Sequence, residues 1–168
     1  MVLELIGNKM ETQEKIAACT SHTDTEICGF WREYRFLSNF HESPVLFKGV
    51  AYKSSENAYQ AAKCVDPKEA ELFRDLTPLE SRKLGRKIKI IGNWDRDKFN
   101  IMFDIVLRKF AQNPDLQDKL LNTGYKYLEE TNYWNDRWYG VDYKTNIGEN
   151  NLGKILMAVR SLIRKGLI

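Results

Sequence analysis

The stretch Tyr52-Lys53-Ser54-Ser55-Glu56-Asn57-Ala58-Tyr59-Gln60-Ala61-Ala62-Lys63 reads as a helix with two unlike faces. Ser54 or Ser55 can supply the N-cap oxygen, and alanines at 58, 61 and 62 follow with high helix propensity. At 3.6 residues per turn, Ala58, Ala61, Ala62 and Val65 form a smooth stripe suited to close packing. Glu56, Tyr59, Gln60 and Lys63 repeat that spacing on the other side. A carboxylate, a phenol, an amide and an ammonium therefore line up along one helix. The competing reading is a solvated face with a weak Glu–Lys pairing.

The rest of the chain bounds what such a helix serves. At 168 residues it is long enough for one domain with a full core and no metal or disulfide staple. Apolar residues make up 43% and charged residues 29%, both within the globular range. A net charge of +3 suits phosphate-bearing ligands without demanding nucleic acid. Cys19, Cys28 and Cys64 form an odd, unpatterned set beside only two histidines. That predicts reduced thiols in a cytoplasmic protein and argues against structural zinc. No apolar run approaches the roughly 20 residues that span a membrane. The start, Met1–Ile6, lacks the basic region and cleavage site of a secretory signal.

Along the chain, residues 1–25 read as an N-terminal extension or lead-in, and 26–168 as the domain proper. Residues 10–18 suit a short helix, and polar sequence follows, in which His22 reads as an exposed loop histidine. Glu26 to Phe30 starts the core with a strand. Trp31 to Phe40 is aromatic and polar without a clean period, either a packed loop or a ligand wall. Val45-Leu46-Phe47, Lys48-Gly49 and Val50-Ala51-Tyr52 predict a β-hairpin that delivers the chain into the Glu56 helix. Asp66-Pro67 restarts a helix with Pro at its first position. Thr77-Pro78-Leu79-Glu80 is a capping box that opens another helix, to about Gly85.

Asn93-Trp94-Asp95 introduces a longer helix with the stripe Phe99, Met102, Phe103, Val106 and Phe110, ended by Asn113-Pro114. Pro114 to Asn122 is a short helix closed by Gly124. Tyr125 to Thr131 alternates as a strand does. Leu152, Ile155, Leu156, Val159, Leu162 and Ile163 define a C-terminal amphipathic helix. The sum is a helix-rich, compact, single α+β domain with a small antiparallel β-sheet.

A second carboxylate cluster lies at Glu129 to Gly140, where Tyr133, Trp134, Trp138 and Tyr139 surround Asp136. Loops carry function more often than regular elements, and such rings can stack on a planar base. The alternative is a satellite hydrophobic cluster in which Asn135 and Asp136 form an Asx-type turn. Arg82, Lys83, Arg86, Lys87 and Lys89 form the most basic patch, either a solvated face or a landing site for phosphates. Dinucleotide, Walker, zinc-protease and nucleophile-elbow motifs are absent, and two histidines make a Ser/His/Asp site improbable. Chemistry falls to carboxylates, amides and aromatics. Cleavage of a glycosidic bond, with its oxocarbenium-like transition state, suits that set.

Four stretches in order carry a family resemblance: Tyr34-Arg35-Phe36-Leu37-Ser38-Asn39-Phe40, Ser55-Glu56 through Lys63, Asn135-Asp136 with Gly140, and Gly148-Glu149-Asn150-Asn151-Leu152-Gly153. With Leu84-Gly85-Arg86 and Asn93-Trp94, the chain from Cys28 to Ile163 resembles the NADAR (YbiA-like) superfamily. The resemblance implies a compact α+β fold, N-glycosidase activity, and no metal or other cofactor. It implies a ribosyl-phosphate or ADP-ribosyl substrate: a ribosylamino-pyrimidine phosphate of the riboflavin pathway, or ADP-ribosylated guanine in DNA.

Position by position, Glu56 and Asp136 match the family's catalytic carboxylates and Trp94 a tryptophan of its pocket. Asn39, Lys63 and Asn150 match polar pocket positions. The roles expected are a carboxylate stabilising the ribosyl cation and positioning water, Trp94 stacking on the base, and Lys63, Arg35 and Arg86 holding phosphate. Tyr59 and Trp138 complete the candidate binding set. Arg137-Trp138-Tyr139 after Asp136, and Asn151 where a basic residue can occur, depart from the pattern. Two rival readings use the same residues differently. One is a non-catalytic module that binds ADP-ribose or NAD, and the other a nucleic-acid binder using the Arg82–Lys89 patch.

Overall fold

The computed structural model describes residues 11–168. Its contacts divide them into two compact units, residues 11–35 with Tyr125–Met157, and Phe36–Gly124 with Ala158–Ile168.

In the first unit, residues 11–18 form helix α1, so Met10 and the Met1–Ile6 start lie outside the described residues. Strand β1 (Ser21–His22) pairs antiparallel with β2 (Glu26–Cys28). His22 is therefore a strand residue, not an exposed loop histidine. Its Nε2 lies 3.0 Å from the Gly29 carbonyl, and its ring packs edge-on against Tyr34. A 3-10 turn, Arg32–Leu37, occupies the aromatic stretch that had no clean period.

Strand β2 also pairs, in parallel, with β5 (Tyr127–Glu129), and β6 (Thr131–Asn132) pairs in parallel with β7 (Val141–Asp142). The expected antiparallel pairing is found between β1 and β2 and in a hairpin described below, and parallel ladders are present as well. The reason is connectivity. All of Phe36–Gly124 intervenes between β2 and β5, which supplies the long crossover that a parallel pair needs and a tight hairpin cannot provide.

In the second unit, β3 (Glu42–Phe47) and β4 (Val50–Ser54) form the predicted hairpin. Lys48 and Gly49 both take positive φ, 48° and 82°, the twist a two-residue turn requires. Ser54 ends β4 and caps α2 (Ser55–Ala61), accepting a 3.2 Å bond from the Asn57 amide. All seven residues of α2 are buried. It stops short of Val65, which is 53% exposed rather than part of the smooth stripe. The chain leaves the helix there because Cys64 bridges to Ile90, and Ile91 N–H donates to the Lys63 carbonyl at 3.0 Å.

Helices α3 (Pro67–Glu71), α4 (Pro78–Gly85), α5 (Trp94–Ala111) and α6 (Pro114–Asn122) follow. The Thr77/Glu80 capping box is formed in full. Asn57, wholly buried on α2, donates to the carbonyls of Phe73 (2.7 Å) and Leu76 (2.8 Å), which fixes the chain entering α4.

Helix α5 buries Met102, Ile105, Val106 and Phe110, while Phe99 and Phe103 of the predicted stripe are half-buried. Among them lies Lys109, fully buried, its ammonium donating to the carbonyls of Phe36 (2.6 Å) and Ser38 (2.9 Å). The last helix, α7 (Asn151–Arg164), begins in the first unit and ends in the second. No helix among the described residues is long and apolar enough to cross a membrane. The fold is α+β and rich in helix, as expected.

Candidate active site

The polar face of α2 is not solvated. Glu56 is 8% exposed, Tyr59 7% and Gln60 5%. The Gln60 amide nitrogen donates to Glu56 Oε1 at 2.7 Å, and its oxygen accepts from Lys63 Nζ at 2.8 Å. The Lys63 ammonium lies 5.0 Å from the centre of the Tyr59 ring and 5.5 Å from that of Trp94. Those two rings are tilted against each other with centroids 4.9 Å apart. An ammonium over aromatic faces is held by their quadrupoles. Burial pulls the Lys63 pKa below the ordinary lysine value. Glu56 opposes that shift, while the guanidinium groups of Arg82 and Arg86 add to it.

Two neighbours fix this array. Gly85 of α4 approaches so closely that a β-carbon there would lie 1.9 Å from the Gln60 amide oxygen. Asn39, 7% exposed, accepts the Glu56 backbone N–H at its carbonyl (3.0 Å) and donates weakly to Met102 sulfur. Its side-chain oxygen is buried with no protein partner, which leaves one acceptor for a ligand or water. Arg86 is exposed at the C-terminal end of α4.

Arg35, Asp136, Trp138 and Asn150 belong to the first unit. The Asp136 carboxylate forms the Asx-type turn, its Oδ1 accepting from the backbone N–H of Trp138 (3.1 Å) and Tyr139 (2.9 Å). Asn132 clamps the same residue, accepting from Asp136 N–H at 3.0 Å and donating to its carbonyl at 2.8 Å. The carboxylate is thereby rigidly aimed, and its second oxygen takes no part in the turn.

The four rings around Asp136 do not make one platform. Tyr133 and Trp134 pack with Trp31, whereas Trp138 and Tyr139 pair with each other at 4.9 Å. The Arg35 guanidinium sits 5.4 Å over Trp31, and burial lowers its pKa.

Asn150 adopts φ 50°, and its amide is committed to the sheet. It accepts from Glu130 N–H at 3.1 Å and donates to the Leu128 carbonyl at 2.9 Å and Tyr127 hydroxyl at 3.0 Å. Beside it a β-carbon on Gly153 would fall 2.1 Å from the Leu128 carbonyl, so α7 needs glycine there. Among the described residues no cluster of three His, Cys, Asp or Glu side chains could hold a metal ion.

The model of the NADAR domain matches residues 22–164. The chain belongs to the NADAR family. This NADAR chain is 35% identical over 140 residues to an N-glycosidase of Nostoc punctiforme, a match covering 80% of it and 88% of that relative. It is 30% identical over 135 residues to the N-glycosidase YbiA of Escherichia coli, covering 76% and 81%. A riboflavin biosynthesis protein of Vibrio vulnificus is 32% identical over 136 residues, 77% of the NADAR chain but 36% of that longer protein. The NMR structure of Escherichia coli YbiA aligns with a TM-score of 0.75 at 29% identity, over 91% of the NADAR chain and 93% of that one. The fold is YbiA-like, and N-glycosidase is the activity expected by homology.

Sequence reasoning placed Gln60 on the polar face without naming it a site residue. It missed Lys109 altogether. The signal for Gln60 was its i+4 spacing from Glu56 and i−3 spacing from Lys63. Lys109 left none beyond a charge within an apolar stripe.

Proposed function

We propose that this NADAR chain hydrolyses the N-glycosidic bond between a nucleobase-like group and ribose in a phosphorylated or ADP-ribosyl substrate. The observation that carries the proposal is the buried Glu56–Gln60–Lys63 array beside the Tyr59 and Trp94 rings. A carboxylate held out of bulk water stabilises a developing ribosyl cation more strongly than an exposed one. Glu56 serves that role or positions the water. Asp136 is the second acidic group, aimed by its turn. Trp94 and Trp138 offer faces to the base, and Asn39 a free acceptor for a sugar hydroxyl. Arg35 and Arg86 hold phosphate. Lys63, already engaged by an amide and two rings and with a lowered pKa, suits proton exchange better than a fixed phosphate contact. Asn150 acts by holding β5 against the start of α7. The relatives named for N-glycosidase activity and riboflavin biosynthesis support this substrate class.

The test is mass-resolved turnover of a ribosylamino-pyrimidine 5-phosphate, ADP-ribosylated guanine in DNA, NAD and free ADP-ribose by wild type and Glu56→Gln. Release of a base from one substrate, lost in the variant, is the expected result. Saturable binding of ADP-ribose or NAD with no release from any of them would replace hydrolysis with a binding function.

A further inference from the structure

We infer that Gln60 is a positioning residue that keeps the Glu56 carboxylate and the Lys63 ammonium coupled without letting them close into a direct ion pair. The inference rests on the proposed role of Glu56. Glu56 and Lys63 lie on the same face of the chain, with Gln60 between them in sequence and in space. Its amide nitrogen takes the carboxylate at 2.7 Å and its oxygen takes the ammonium at 2.8 Å. Only one orientation of the amide satisfies both partners, because a flip would set its oxygen against a carboxylate and its N–H groups against an ammonium. The charges on either side therefore lock the amide.

Three consequences follow for the chemistry. The carboxylate keeps a charge-assisted donor, which fixes its direction. The ammonium keeps an acceptor although burial disfavours its charge. The amide stands between two opposite charges that a low dielectric would otherwise draw together. A side chain one methylene shorter could not span both groups, and a second carboxylate would repel the first.

Gly85 is the second half of the device. The atoms that a β-carbon at 85 would strike are side-chain atoms of Gln60: the amide oxygen at 1.9 Å, Cδ at 2.7 Å and Cβ at 3.3 Å. No backbone atom is among them. The bare glycine thus forms the wall that confines the amide, and any side chain there must push Gln60 off its two partners.

The test compares Gln60→Met, Gly85→Ala, Gln60→Ala and the Gln60→Ala/Gly85→Ala double variant on the substrate that wild type turns over, with Glu56→Gln in the same series. Methionine fills the space of glutamine but makes neither bond, so Gln60→Met folds as wild type does by circular dichroism. Its kcat falls roughly 10- to 100-fold, the worth of a hydrogen bond to a charged group, while KM changes little. Gly85→Ala lowers kcat in wild type but adds nothing in the Gln60→Ala background, where no amide remains to displace. Wild-type kcat in Gln60→Met while Glu56→Gln is inactive overturns this inference and leaves the proposed function standing. Full activity of Glu56→Gln overturns the proposed function itself.

A readout independent of turnover uses lysine labelled with 13C at Cε. Methionine still separates the two charges but offers the ammonium no acceptor, so with Glu56, Arg82, Arg86 and Cys64 as the charged or titratable neighbours Lys63 titrates at lower pH in Gln60→Met than in wild type. An unchanged Lys63 titration overturns the inference.

Discussion

The Lys63 ammonium stands 5.5 Å from the centre of the Trp94 ring, which brings the chain just past α2 to the first residue of α5. Its charge state is governed by burial, then by Glu56, Arg82 and Arg86. Glu56→Gln removes the group that favours the charged amine, so Lys63 titrates lower still. Arg86→Ala removes one that disfavours it, so Lys63 titrates higher. Carbon-detected titration of labelled lysine reads both. Shifts of equal sign in the two variants would show that these charges do not control the amine.

Lys109 holds the chain that leads to Asn39, donating to two carbonyls as many as 73 residues away in sequence. Lys109→Met keeps the apolar stem and leaves both carbonyls without that donor. The Ser38 carbonyl still accepts from the His41 N–H, so the loss is that of two hydrogen bonds to a charged group, each worth about 1.5–3 kcal/mol. Lys109→Met therefore lowers stability by roughly 3–6 kcal/mol in total, read as a lower urea midpoint at constant m. A loss of less than about 0.5 kcal/mol, the scale of an ordinary surface change, would mean that water replaces the ammonium.

Asp136 allows structure and chemistry to be separated. Asparagine retains the acceptor oxygen of the turn, so Asp136→Asn keeps the bonds to Trp138 and Tyr139 N–H and unfolds near wild type. Asp136→Ala loses the turn and costs about 1 kcal/mol. If the carboxylate is the second acidic group, both variants lose turnover, although only one loses stability. An active Asp136→Asn confines the residue to its turn.

All three described thiols are held in the protonated form. Burial is the largest cause at each, raising Cys19 and Cys64 to about 11 and Cys28 to about 12, and nearby carboxylates add to it. Two pH units above the ordinary thiol value mean roughly a hundredfold less thiolate at pH 8. Native protein at pH 8 is therefore alkylated by iodoacetamide far more slowly than the urea-unfolded chain. Thiols that stay protonated in the folded state but ionise near pH 9 when unfolded also make stability fall as pH rises from about 9 to 11. Native alkylation at the unfolded rate would contradict both statements.

Local chemistry was legible wherever the deciding atoms are near neighbours in sequence. The Thr77/Glu80 capping box with Pro78, and Pro114 after Asn113, placed α4 and α6 at their observed bounds. Lys48-Gly49 placed the hairpin turn, and the Ser54-Ser55 pair the cap of α2, which Ser54 supplies. The spacing of Glu56, Tyr59, Gln60 and Lys63 is likewise a property of 3.6 residues per turn, so one face of one helix could be read directly.

Spacing left open whether that face met water. Burial of Glu56 and Gln60 depends on Gly85 and Asn39, which other elements bring to α2. The ring of Trp94 reaches Lys63 only because α5 starts there, and the aromatics near Asp136 divide because Trp31 claims two of them. The parallel pairing of β2 with β5 follows from where a long excursion of chain returns. Caps, turns and helical faces could be read along the chain because their energies are settled within a few residues. Which polar groups lost water, and which partners replaced it, could not be read that way, because burial is set by segments that meet only when the chain folds.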